Sequence, residues 1–528
     1  MTSANTQNRF VKALGRAPFL LHLSFALSCG VGLSFTQPPY DLWPLIFIYF
    51  GGFYILYSFA KTKLAAFLIG FCFAIGYFIA GLNWIGNALL VEGNEYRWVW
   101  PLAVIALPTL LSLFTALYVT IAHILFDKRS WAGFLGFCAL LTVSEWVRGY
   151  AFSGFPWNLY GYGITSFYTI DQSLSLIGPY GLTLLTVIWG CGGGFLLLQS
   201  PRSSKLIVLL FVLISLAGLS FYGSNRLNDI TESKFVADVN LHIVQPNIEQ
   251  AAKWQPEKLS ENFDRLVELS TLDHASETKN IVIWPETALP PIFLKNSAID
   301  QRLYYTLGEN SILLSGGLDV DVDTDTGIHQ YHNSLMLWRD SLPSQRLYSK
   351  SHLVPFGEYI PFQKYIPLPT VTNFSGFQKG GGTQTISLEG FPSFSPLICY
   401  EIIFPNKAVD QHSGARPDFI LAITNDGWYG DSNGPYQHFS QARFRAIEQG
   451  IPVVRSANTG ISGVIDSYGR VVEKTRLLES DAVSIGLPTK LPTTIYGKFG
   501  DLIFGIMILM GLFLATLRGM KNQETVQP

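Results

Sequence analysis

Apolar residues in this chain fall into long charge-free blocks up to about residue 222, then into short bursts, then into one last block near the end. The first seven blocks cover about 17–34, 43–59, 64–82, 101–125, 130–144, 178–199 and 206–222. Most approach the roughly 20 residues a helix needs to cross hydrocarbon, which predicts seven membrane spans. An eighth is predicted at about 502–517, where Lys498 and Arg518 at the ends can reach toward headgroups. The first block follows Arg9, Lys12 and Arg16 like a secretory leader, but it is long for a leader core and more apolar sequence follows, so it reads as an uncleaved span.

Between the blocks the pattern changes. Short β-rich runs at Val239–Val244, Asn280–Trp284, Ile312–Ser315, Asn333–Leu337, Pro396–Cys399 and Phe419–Ile423 alternate with helical patterns near 257–273, 297–308 and 436–450. Such apolar strands ending in polar residues predict an α/β domain whose sheet is covered on both faces, with reacting groups at strand ends. The predicted organisation is a transmembrane helical bundle over 1–222, a catalytic domain over 223–497, and a last transmembrane helix with its tail over 498–528.

Composition agrees with a membrane part: 48% of the 528 residues are hydrophobic and 14% are charged. A net charge of -2, with no dense Lys/Arg run, excludes a nucleic-acid partner. The Lys and Arg of the short connections fall mostly on one side, at Arg9, Lys12, Arg16, Lys61, Lys63, Lys128, Arg129, Arg202, Lys205, Arg518 and Lys521, against Arg97 and Arg148 on the other. The amino terminus is therefore expected in the cytoplasm and 223–497 outside. In a bacterial inner membrane that outer side is oxidising and lacks ATP. The outer connections carry Trp84, Tyr96, Trp98, Trp100, Trp157, Tyr160 and Tyr162, which read first as an interfacial anchoring belt.

Four cysteines (Cys29, Cys72, Cys138 and Cys191) lie inside apolar blocks, where a thiol is usually inert packing, and only Cys399 lies in the polar part. It ends one β-rich run, in Cys399-Tyr400-Glu401; Trp284-Pro285-Glu286 ends another, and Lys350 opens Lys-Ser-His-Leu-Val-Pro-Phe-Gly-Glu358. A thiol with a pKa near 8.5 is only a few per cent ionised at neutral pH, so a nucleophilic cysteine needs a base or a cation beside it. Glu286 is suited to take the proton and Lys350 to hold the thiolate, which the chemistry of the triad expects to be ionised.

These motifs, in this order, resemble the nitrilase superfamily and its Glu-Lys-Cys triad. With apolar blocks on both sides the chain resembles one branch in particular, the apolipoprotein N-acyltransferases; Pro-Glu-Thr, Cys-Tyr-Glu, Asn425-Asp-Gly-Trp428 and Ala457-Asn-Thr-Gly460 add to the likeness. The resemblance implies an αββα sandwich inserted before the last span. It also implies catalytic roles for Glu286, Lys350 and Cys399, an oxyanion contact from the Tyr400 N–H, and support from Glu358 and Glu401, which would orient Lys350 or relay protons. Substrate contacts are implied for Trp254, Trp157 and Asn425.

By the same resemblance, Cys399 takes an acyl group from a phospholipid, phosphatidylethanolamine above all, and passes it to the amine of a diacylglyceryl-modified cysteine at an apolipoprotein's amino terminus. No metal or diffusible cofactor is implied, and the chain is expected to act as a monomer in the membrane. Residues 359–378, apolar and proline-broken with Lys364 as their one charge, are expected to form a lid that dips among headgroups. The alternatives are a membrane-tethered amidase in which water discharges Cys399, a scaffold with an inactive nitrilase domain, and a transporter. His22, His123 and Glu145 offer too little intramembrane charge for the last.

Overall fold

The computed structural model describes residues 9–92, 94–228, 233–272, 278–294, 296–322, 329–340, 342–361, 376–410 and 414–518. Residues 362–375, most of the expected lid, lie outside them, as does Lys521. The chain divides into two units. One comprises residues 1–83, 101–229 and 499–528, the other residues 84–100 and 230–498.

The first unit is helical. Lys63–Leu89, Arg97–Leu125, Leu174–Leu197 and Arg202–Asn228 are helical stretches long and apolar enough to cross a membrane, and Phe19–Ser34, Leu45–Phe59 and Leu502–Arg518 are shorter apolar helices. An eighth helix, Trp131–Tyr150, is also apolar but carries Glu145 and Arg148. Both are buried and joined at 2.7 Å, and the Arg148 guanidinium also donates to the Phe155 and Trp157 carbonyls. Arg148 is therefore a paired charge inside a helix, where the pattern of charges had put it in an outer connection. Close packing needs small residues here. A side-chain carbon on Gly30 would sit 1.8 Å from the Phe73 carbonyl oxygen, so helices Phe19–Ser34 and Lys63–Leu82 meet backbone to backbone. Apolar side chains such as Leu213, Ile214, Phe513 and Leu517 point outward, as suits a lipid-facing surface.

The second unit holds β1 (Phe235–Gln245), β2 (Lys279–Ile283), β3 (Ser311–Val322), β4 (His329–Arg339), β5 (Gln345–Ser349), β6 (Phe394–Ile398), β7 (Phe419–Thr424), β8 (Val453–Ala457), β9 (Gly463–Ile465), β10 (Val471–Lys474) and β11 (Asp481–Pro488). They form two sheets of order β11-β1-β2-β3-β4-β5 and β10-β9-β8-β7-β6. Alternation along the strands explains the layering. Leu241, Ile243, Ile281, Ile283, Ile312 and Leu314 meet Phe394, Ile398, Phe419, Leu421 and Val454 of the other sheet in one core. The intervening Val282, Leu313 and Met336 face the helices Leu259–Leu269 and Ser297–Leu307, through Leu266, Leu303 and Leu307. Each sheet therefore packs on the other sheet with one face, and the first is covered by helices on its opposite face, as an αββα sandwich requires.

Topology also sets which strand ends meet. β1, β2 and β3 are parallel, β4 runs against β3, and β5 against β4, so β2 and β5 end on the same edge. β6, β7 and β8 are parallel to one another in the second sheet. Glu286 follows β2, Lys350 follows β5, Cys399 follows β6 and Asn425 follows β7.

Residues 84–100 belong to this second unit. Trp84 is buried, donates its indole N–H to Gln437 at 3.1 Å and packs edge-on against Tyr429 with ring centroids 4.5 Å apart; Asn87 donates to the Tyr429 carbonyl. In the helical unit Trp157, Tyr160 and Tyr162 are buried as well. Among the aromatics of the expected belt that are described, Trp98 and Trp100 are exposed and these four are not.

Candidate active site

Glu286 is held on both oxygens. Its Oε1 accepts from Asn333 Nδ2 at 2.7 Å and lies 3.5 Å from Lys350 Nζ, while Oε2 accepts the Asn425 backbone N–H at 2.8 Å. Lys350 donates to Glu358 at 2.8 Å and is almost fully buried. Glu358 takes a further bond from the Val354 N–H, so a loop carboxylate is anchored before it meets the lysine. Burial opposes a charge on Lys350, but Glu358 and Glu286 outweigh it and hold the ammonium well above the ordinary lysine range. Burial, with Glu286 adding to it, pushes Glu358 above the usual carboxylate range against the pull of Lys350.

Cys399 stands at the turn between β6 and the short helix Cys399–Ile403, with φ of 52°. A non-glycine residue in that left-handed region is strained and is kept there by its surroundings. The thiol is 9% exposed. Burial first and Glu286 second push it up to about 12, against the opposing influence of Lys350 and a hydrogen bond from Thr424. That direction favours the protonated thiol over the expected thiolate, because a site dry enough to bury Lys350 disfavours one more anion beside Glu286.

Glu401 does something the sequence did not suggest. Its Oε1 accepts from the Tyr348 and Ser351 hydroxyls at 2.7 Å and from the Ser351 and His352 N–H groups at 2.7 and 3.0 Å. Its Oε2 reaches back to the Ile398 N–H at 2.8 Å. It ties the turn after Lys350 to the residue before Cys399, instead of pairing with a cation. Tyr400 is buried, packed edge-on against Phe404 with ring centroids 5.1 Å apart.

Asn425 turns its backbone to Glu286, while its side chain donates to Gln250 at 2.6 Å and accepts from Asn458 at 3.1 Å, which makes it part of the frame behind the carboxylate. Trp254 is 37% exposed and lies beside Lys253, whose ammonium is 5.6 Å from the indole centroid. Trp157 belongs to the helical unit, where its carbonyl accepts from Arg148.

Behind the cysteine lies a second buried network. His438 places Nε2 3.2 Å from the Cys399 carbonyl, and Asp426 lies 2.9 Å from its Nδ1. Arg455 reaches Asp426 at 2.7 Å and His438 Nδ1 at 3.1 Å. Burial and Arg455 lower the His438 pKa. An ionised carboxylate can only accept, so His438 Nδ1 donates to Asp426 Oδ1. Burial opposes the charge of Asp426, yet Arg455 and His438 hold its pKa down to about 2.

Asn333, Thr424, His438 and Arg455 were not picked out from the sequence. Asp426 was visible inside Asn425-Asp-Gly-Trp428, and Lys253 beside Trp254, but a polar residue in a strand carries no signal until its register is known. Among the described residues, no group of three or more His, Cys, Asp or Glu is arranged to hold a metal ion.

A thiol facing a carboxylate and an ammonium in a closed sandwich is suited to acyl chemistry, and known sequences identify which kind. Residues 29–192 match the apolipoprotein N-acyltransferase N-terminal domain, and residues 241–486 match the carbon-nitrogen hydrolase domain. The chain is 35% identical over 509 residues to the apolipoprotein N-acyltransferase of Rhodopseudomonas palustris, covering 93% of this chain and 94% of that protein. The chain belongs to the apolipoprotein N-acyltransferase family. Other members similar to it come from Bradyrhizobium diazoefficiens, 35% identical with 94% and 95% of the two chains covered, and Brucella melitensis, 34% identical with 93% and 94% covered. With its apolar helices and its family, this is a membrane protein and an acyltransferase.

Proposed function

We propose that the protein N-acylates the amino-terminal diacylglyceryl-cysteine of apolipoproteins, using a phospholipid such as phosphatidylethanolamine as donor and Cys399 as the acyl carrier. The observation that carries this reading is the bracketing of Glu286 by Asn333, Lys350 and the Asn425 N–H, with Glu286 and Lys350 both acting electrostatically on the Cys399 sulfur.

In this cycle the thiol starts protonated, and its proton leaves for Glu286 as the S–C bond forms with the donor's carbonyl carbon. Lys350 and the Tyr400 N–H carry the oxyanion; one such donor contributes about 2.7–4 kcal/mol to barrier lowering. When the ester C–O bond breaks, the lysophospholipid oxygen takes the proton from Glu286. In the second half, the acceptor's neutral amine attacks the thioester, its surplus proton passes by way of Glu286 to the departing sulfur, and an amide and free thiol result. A thioester is reactive enough to acylate an amine without ATP.

Eight apolar helices would serve as spans, in a bacterial inner membrane, with the amino terminus cytoplasmic and residues 223–497 on the periplasmic side. That arrangement keeps both lipid substrates near one plane. The test is the intact mass of the protein after exposure to phosphatidylethanolamine vesicles, beside Cys399→Ala. An acyl-sized gain in the wild type alone is expected; equal masses would overturn the proposal, and acyl release to water in the presence of a diacylglyceryl peptide would favour the amidase.

A further inference from the structure

The scheme above leaves a second buried ammonium unused. Lys253, 5% exposed in the loop after β1, donates to the Glu286 backbone carbonyl at 3.0 Å and to Thr287 Oγ1 at 2.7 Å. Both acceptors belong to the dipeptide that carries the proposed base. Thr287 has φ of 48°, a conformation that a β-branched residue adopts only when its surroundings enforce it.

The same loop also reaches the carboxylate end of Glu286. Gln250 accepts from the Asn425 side chain at 2.6 Å, and the Asn425 N–H donates to Glu286 Oε2 at 2.8 Å. The loop in turn is fixed to the end of β8, where Ile248 and Asn458 exchange two bonds at 3.1 and 2.8 Å. One loop therefore holds the base at its backbone, through Lys253, and at its carboxylate, through Asn425.

Burying an ammonium is costly unless its charge is used. The two acceptors it meets are neutral, and an uncharged amide or a water would satisfy them. The charged groups that act on Lys253 are Glu286 from the end of β2 and Cys399 from the end of β6, with Lys350 and Glu358 beyond them. Burial lowers its pKa to about 8, with Glu286 and Cys399 acting in the opposite sense.

We infer that Lys253 is a positioning residue for the proton transfer from Cys399: its ammonium locks the strained Glu286–Thr287 turn, and its charge favours the anionic forms of Glu286 and Cys399. The inference rests on the reading of Cys399 as the acyl carrier. It differs from the role of Lys350, which meets the Glu286 carboxylate itself, because Lys253 acts on the backbone behind it.

The experiment follows acyl-Cys399 by intact mass against time, for the full chain in phosphatidylethanolamine vesicles, between pH 5.5 and 9. Lys253→Met is expected to slow acylation by about 10–100-fold, the range for losing a hydrogen bond to a charged group. Lipid dependence should stay within about twofold, and the acid limb should move to higher pH, because a carboxylate that loses a neighbouring cation becomes harder to ionise. Lys253→Arg should restore the position of the acid limb and part of the rate. Thr287→Val, which keeps shape but removes one acceptor, should slow the reaction without moving the limb.

A Lys253→Met protein acylated at the wild-type rate with an unmoved limb would overturn the inference. If that variant does not fold, Thr287→Val decides, and a wild-type rate there overturns it equally. A wild type that gains no acyl mass defeats the Cys399 reading itself, whereas normal wild-type acylation with unaffected variants defeats this inference alone.

Discussion

Asn333 donates to the Glu286 carboxylate at 2.7 Å, and the same nitrogen lies 3.3 Å from Glu358. It thus stands between two acids that would otherwise repel each other across a dry pocket. Asn333→Ala is expected to slow acyl-Cys399 formation by about 10–100-fold, from the roughly 1.5–3 kcal/mol of a charge-assisted bond. Asn333→Asp, which adds a third carboxylate, should be slower still. Rates from intact mass, compared at equal folded protein, check both.

Cys399 and Glu286 give opposite signs in one pair of measurements. With burial pushing its thiol up to about 12, Cys399 should be alkylated slowly by iodoacetamide at pH 7, at a rate that keeps rising beyond pH 9 without a plateau near 8.5. Since Glu286 raises that thiol's pKa, Glu286→Gln should speed alkylation while abolishing acylation by phospholipid. A plateau near pH 8, or alkylation and acylation falling together, would contradict the buried-thiol picture.

Glu401 satisfies five donors from the segments on either side of the site. Glu401→Gln replaces one acceptor oxygen with an N–H₂ that must face other donors. A loss of about 3 kcal/mol in stability is expected, seen as a lower thermal midpoint of the purified protein. Glu358→Gln, which keeps one oxygen for Lys350, should lose activity with a smaller thermal effect.

Asp426 makes the domain sensitive to acid. Its folded pKa of about 2 lies below the ordinary 3.8, so its contribution is fully present above about pH 4 and disappears as pH falls through 2. That difference corresponds to about 2 kcal/mol. Arg455→Met leaves the buried carboxylate without its ion partner and should cost about 3–5 kcal/mol at neutral pH, with acid unfolding moved to higher pH. Unfolding followed by tryptophan fluorescence against pH tests the direction.

Glu286, Lys350 and Cys399 could be picked out from the linear chain because acid, ammonium and thiol each follow a short apolar run, and such positions are strand ends. The strands β5 and β8–β11 could not, since runs of three to eight residues carry little periodic signal and β5, β10 and β11 are only partly buried. Asn333 is one polar residue in a strand until β4 pairs against β5 and sets Lys350 beside it, its N–H bonded to the Asn333 carbonyl at 2.8 Å. Trp84 follows a long apolar block and reads as a membrane anchor; its burial against Tyr429 and Gln437 depends on contacts more than 300 residues away.

By itself the chain's order of residues determined the apolar helices, the α/β character of the polar region and the kinds of reactive group present, because those follow from local periodicity and residue chemistry. Tertiary structure decided that burial raises the Cys399 thiol's pKa, that Glu401 braces backbone instead of meeting Lys350, and that Lys253 sits behind Glu286. Protonation and hydrogen bonding depend on burial and on neighbours brought from distant strands, and no local pattern carries either.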